Sequence, residues 1–178
     1  MRSFLFAVFF LIATTSCSKI IFGSGELFIW NGSDRRTEVT IDGRSSATLS
    51  LVGHSGARIK DAVAGTYRIV ERRDGKEITY NFELKDGTSV IVNLGGHSCF
   101  VRTDISGMYQ SGRERVRLLE TYDKSDVVSL DLLLPVMPGE PLPATRPKST
   151  YAFQRLSDVP CNMLNNEAKM IEYIRRQR

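Results

Sequence analysis

The chain has 178 residues, 42% of them hydrophobic and 25% charged, which supports one packed domain with room for a small second unit and excludes a disordered polymer. Its net charge is +4, or +3 without Arg2, the one charged residue among the first sixteen (4 − 1). So small an excess is not the concentrated positive field of a nucleic-acid binder, and no nucleic-acid partner is expected.

At the N-terminus Arg2 precedes an apolar run at 4–13 (FLFAVFFLIA) and the small residues Thr14, Thr15 and Ser16. Residues 1–16 therefore read as a secretory signal. Ten apolar residues cannot cross a bilayer core of roughly 30 Å as a helix, so export is expected rather than a permanent spanning segment. The next residue is Cys17. The arrangement resembles a bacterial lipoprotein signal, which implies that Cys17 is lipidated, with palmitate among its acyl groups, and becomes the mature N-terminus. By the same resemblance, Ser18 in place of an aspartate implies an outer membrane, facing the periplasm or the cell surface. The chain holds three cysteines. If Cys17 carries lipid, Cys99 and Cys161 form an even pair in an oxidising compartment, and a disulfide between them is expected. Ordinary signal cleavage, with one thiol left over, is the alternative.

Residues 17–25 read as a lipidated tether, and strand character begins at Glu26 (ELFIWN). It continues through 37–41, 47–52 and 57–60, punctuated by Gly32-Ser33, Asp42-Gly43 and the Gly53 to Gly56 turn. From Ala64 to Leu94 the pattern is strongest. Ile78, Tyr80, Phe82 and Leu84 alternate with polar residues, and Asp74-Gly75 and Asp86-Gly87 supply hairpin turns. This predicts an antiparallel meander and about seven short strands before residue 95. The fold expected is mainly β, an antiparallel β-sandwich over residues 26–134.

Val39 to Gly43 (VTIDG), Val63 to Ile69 (VAGTYRI) and Leu84 to Leu94 (LKDGTSVIVNL) resemble the PEGA-type surface-layer sandwich domains. The likeness covers about 70 residues and implies an envelope or surface protein; the family offers no catalytic residues to carry over.

Residues 95–104 read as a turn and a further strand. Two apolar runs at 113–122 and 127–134 then read as a hairpin extending the sheet, with one run buried on both faces or partly helical. Residues 135–149 are expected to be a Pro-rich extended spacer, since 135–147 holds five of the six prolines. In the tail, 150–178, Cys161, Leu164, Ala168, Ile171 and Ile174 recur at steps of three and four. That spacing predicts a C-terminal α-helix of about four turns that docks on the sandwich, held there by Cys99.

Chemistry is sparse. His54 and His97 each sit in Gly-His-Ser, but no histidine follows Cys99, as a blue-copper site requires, and zinc-type ligand spacing is not evident. Gly53-His54-Ser55-Gly56-Ala57 lacks the closing glycine of a nucleophile elbow, and no enzyme, metal or cofactor is expected. Trp30 reads as a core or rim aromatic, and Asn31-Gly32-Ser33 as a glycosylation acceptor idle in a bacterium. Arg113, Arg115 and Arg117 fall on one strand face, a solvated surface or a patch for an acidic partner or anionic lipid. The functional expectation is an envelope-anchored lipoprotein, attached to the membrane by its lipid, that binds an envelope protein or complex without catalysis. The alternative is a periplasmic inhibitor or immunity lipoprotein that blocks a toxin or hydrolase with residues 95–104.

Overall fold

A computed structural model describes residues 23–44, 46–109, 116–145 and 153–176. Among these described residues, seven strands precede residue 95: β1 (Ser24–Asn31), β2 (Thr37–Asp42), β3 (Ala47–Leu51), β4 (Ser55–Val63), β5 (Gly65–Arg73), β6 (Lys76–Leu84) and β7 (Ser89–Asn93). β8 (Cys99–Asp104), β9 (Arg117–Tyr122), β10 (Val127–Leu130), β11 (Gln154–Val159) and helix α1 (Glu167–Arg176) follow. The mainly β fold, with antiparallel sheets and a C-terminal helix, is as the sequence predicts.

The strands form three sheets rather than two: a central one ordered β10-β7-β1-β4, a second ordered β3-β2-β5-β6, and a third ordered β11-β8-β9. Alternation along the central strands explains the stacking. Leu27, Ile29, Val90 and Val92 point to the second sheet and pack on Val39, Ile41, Tyr67 and Ile69. Phe28, Trp30 and Ile91, one step out of phase, meet Phe100 and Leu156 of the third sheet. The third sheet's far face, with Val101, Phe153 and Val159, buries Met170 and Ile174 of α1. Three apolar layers thus alternate with three sheets, and the helix closes one end.

The Asp74-Gly75 hairpin forms as expected, both residues lying at positive φ (50° and 74°), the conformation of a two-residue hairpin turn. The meander does not continue. At Asp86-Gly87 the chain leaves the second sheet: Asp86 Oδ1 accepts from the Ser24 N–H at 2.8 Å, and the Gly87 N–H donates to the Ser24 carbonyl at 2.8 Å. These bonds tie the turn to the start of β1, so β7 enters the central sheet parallel to β1 instead of pairing with β6. Every residue of β7 is buried, as a strand covered on both faces requires. The sandwich is therefore not purely antiparallel.

The expected hairpin at 113–134 is also replaced. β9 pairs with β8 in the third sheet, while β10 pairs with β7 in the central one. The chain crosses between layers at Asp123 to Asp126, where the Asn93 side chain donates to the Ser125 carbonyl at 3.0 Å.

The described part of the Pro-rich stretch, to residue 145, is no free spacer at its start. Val136 bridges to Arg155 in parallel, the Leu156 N–H donates to the Val136 carbonyl at 3.0 Å, and Met137 is fully buried. The tail is not helical from its beginning either: β11 adds to β8, and Cys161–Met163 is a single 3-10 turn. The helix starts six residues later, where Asn166 Oδ1 caps it by accepting from the Lys169 N–H at 3.0 Å.

Candidate functional site

Cys99 and Cys161 are joined, as the cysteine count suggests, with Cα atoms 5.1 Å apart. The bond does not hold the helix directly. Cys99 opens β8 opposite Val159, so the link fastens the end of β11 and the following turn. Asp123 Oδ1 lies 3.3 Å from Cys99 Sγ but accepts from the Lys124 N–H at 2.8 Å, and sulfurs bound to each other leave no thiolate for a metal. Cys17, Arg113 and Arg115 lie outside the described residues; Arg117 is exposed on β9, opposite Asp104. The stretch 95–104 does not project as an inhibitory loop. Its larger part is β8, the middle strand of the third sheet, with Cys99, Phe100 and Val101 fully buried.

The two Gly-His-Ser loops share one cavity of about 550 Å³, lined also by Arg35, Arg73, Asp34 and Asp74. His54 sits at φ 52°, in the left-handed region that non-glycine residues enter at some cost, and its Nε2 meets Asp34 Oδ1 at 2.7 Å. His97 Nε2 lies 2.7 Å from Arg73 Nη1. A guanidinium only donates, so Nε2 accepts and the ring proton is on Nδ1. Arg73 also reaches Thr37 Oγ1 (3.1 Å), Asn31 Oδ1 (3.2 Å) and Glu71 (2.8 Å). Glu71 is fully buried and accepts from the Tyr80 hydroxyl at 2.6 Å, while the Tyr80 oxygen accepts from the Gly95 N–H at 2.7 Å. Burial, and then the bond to Glu71, raise the Tyr80 pKa far above its ordinary value. Asn31 is not a free acceptor for a glycan, since its amide nitrogen donates to the carbonyls of Arg35, Leu51 and Val52.

A second cavity of about 450 Å³ opens beside β11, and His54 lines both. The indole of Trp30 forms part of its wall, and Trp30 Nε1–H donates to Ser98 Oγ at 3.0 Å. Gly139, at φ 76°, passes over that ring, where an added Cβ would lie 3.2 Å from Cζ3. Glu140 is positioned by Arg58, whose Nη1 it meets at 2.8 Å; Arg58 also binds Glu26 at 2.5 Å. Arg155, Asp158 and Tyr173 complete the wall. Burial raises the Asp158 pKa above the usual carboxylate range, with Ser98, Trp30 and the His54 charge opposing the rise. Burial also lowers Arg155, with Tyr109 opposing.

The Asp158 shift has a testable sign. Its native pKa exceeds its unfolded value, so between the two the folded chain holds more protons, and stability falls as pH rises through that window. The difference in unfolding free energy between wild type and Asp158→Asn, from urea melts, should therefore decline with pH across the window and flatten above it. A difference independent of pH would contradict the burial.

Sequence reasoning passed over Arg155, Asp158 and Glu140. Asp158 lies just ahead of the helical spacing that starts at Cys161, and Glu140 lies among prolines. The available signal was weak: Leu156 and Val159 flank polar residues on both faces of FQRLSDV, so neither periodicity stands out. Comparison with known family models, with curated proteins and with solved structures finds no match.

Proposed function

We propose that the chain is an envelope lipoprotein, anchored through an acylated Cys17, whose folded part is a non-catalytic protein-binding or structural module. The observation that carries this is the Cys99–Cys161 bond. Of three cysteines it leaves one, and that one directly follows the export signal. The segments that resemble PEGA-type domains lie within the central and second sheets, where the Tyr67 hydroxyl of the Gly-Thr-Tyr opening donates to the Val63 carbonyl at 2.8 Å. The binding reading also draws on the polar groups around the histidines. His54 is engaged by Asp34 and His97 by Arg73, while Ser55 Oγ donates to the Val52 carbonyl. This is a built, charged surface set on a rigid stack, suited to recognition.

The test is made in a bacterium producing the full chain. Wild type should incorporate labelled palmitate and sediment with membranes, and Cys17→Ser should lose both. Cross-linking in intact cells should give a discrete adduct with wild type and not with the unanchored variant. Membrane sedimentation that survives Cys17→Ser, with no label in wild type, would refute the anchor. A chain that stays monomeric under cross-linking would refute the partner.

A further inference from the structure

Each sheet has two edge strands, and among the described residues every edge but β6 is guarded against pairing with another chain. β3 and β10 are short, with five and four residues. β4 and β9 are bulged, at Lys60-Asp61 and at Leu119, where their registers with β1 and β8 slip. Val136 covers β11. β6 has none of these devices. Its nine residues contain no proline, and it pairs with β5 in unbroken register from Lys76 to Leu84.

The hairpin decides which backbone groups of β6 face outward. A two-residue turn makes its flanking pair, Arg73 and Lys76, a hydrogen-bonded one, and bonded pairs then alternate with open ones. The N–H and C=O groups of Glu77, Thr79, Asn81 and Glu83 therefore point away from β5. Their side chains are exposed on the outer face, while Ile78 on the core-side face is 42% exposed.

We propose that β6 pairs antiparallel with β6 of a second copy, two-fold symmetric about Asn81, joining the second sheets of both chains into one. Symmetry and charge select this occupant and this register. A two-fold axis normal to the sheet keeps each face on its own side, so outer residues meet only outer ones. Centred on Tyr80, the pairing would set Glu77 against Glu83 at both ends, a like-charge clash. Centred on Thr79, it would bring no opposite charges together within the strand. Centred on Asn81, it sets Glu77 against the exposed Lys85 at both ends and covers Ile78 with Leu84 of the second copy. Glu77 also meets Arg72 of its own chain at 2.8 Å, and a carboxylate accepts from both cations. The edge is thus complementary to itself, as a two-fold interface requires. The inference concerns the folded part and stands whether or not Cys17 is acylated.

The test uses the full chain in detergent, with Asn81→Cys, oxidised by copper phenanthroline. In this register the two Cα atoms at position 81 lie about 5.5 Å apart, within disulfide reach. A linked dimer is expected on a non-reducing gel. The chain without the substitution is the blank for links through Cys17. Thr48→Cys, also exposed but on the opposite edge strand, should not link, and Thr79→Cys, facing Glu83, should link far less. Lys85→Glu sets carboxylates against each other at both ends and should cut the linked fraction about tenfold. Adding Glu77→Lys should restore it, a rescue that damage to the fold would not give. No linked dimer with Asn81→Cys, or equal linkage at Thr48→Cys or Thr79→Cys, would overturn the proposal. So would an Asn81→Cys adduct formed in intact cells only with a different protein.

Discussion

Replacing both Cys99 and Cys161 with alanine should lower the unfolding free energy by about 4 kcal/mol. The bond closes a loop of 62 residues, and in the chain-entropy account a loop of that length restricts the unfolded chain by about that much. Against a typical total of about 5–15 kcal/mol, the loss is large. It should also be uneven. The bond lies in the third sheet, where Val101, Phe153, Met170 and Ile174 form the outermost core. Backbone amides of β8 and β11 should therefore exchange with solvent faster in the variant, and those of Ile29 and Ile69, deep in the sandwich, much less so. Urea melts and hydrogen exchange read the two effects. A loss below about 1 kcal/mol, or a uniform rise in exchange, would contradict this division of the fold.

Arg73→Met should cost about 3–5 kcal/mol, because it leaves the fully buried Glu71 carboxylate without its cation. The same change strips the donor from His97 and one donor from Asn31. Adding Glu71→Gln to the variant should recover a substantial part of the loss, since the buried charge is then gone. Arg35→Met is the control. Its pair with Asp74 has side chains 70% and 61% exposed, and such a pair contributes only about 0–1 kcal/mol. Equal losses for Arg73→Met and Arg35→Met, measured by denaturant melts, would show that the buried network is not structural.

What was legible in the sequence was local. Alternation from Ile78 to Leu84 and the positive-φ demand of Asp74-Gly75 define β5 and β6 without reference to the rest of the chain. The turn at Asp86-Gly87 carries the same signal, but its partner is Ser24, 62 residues away, and no dipeptide encodes that. The buried run Ser89 to Asn93 did contain a clue. An unbroken apolar strand belongs inside a stack, whereas a meander with one wet face predicts alternation. β11 was hidden because Arg155 and Ser157 are buried polar residues on the face toward the helix. The cysteine pair was read correctly from a count, but its place in the fold was not, since the spacing of Cys161 and Leu164 suits a helix and a 3-10 turn alike. At the candidate site, Trp30 and the histidines stand out by type. Arg73, next to the Asp74-Gly75 turn, carries no such signal, yet β5 faces it inward beside the buried Glu71.

The most direct measurement is the intact mass of the chain isolated from the producing bacterium, with alkylation before and after reduction. An N-terminus at Cys17 carrying acyl chains, with no alkylation until the Cys99–Cys161 bond is reduced, is the result this account requires. A polypeptide beginning at Met1, with all three thiols alkylated before reduction, would contradict it.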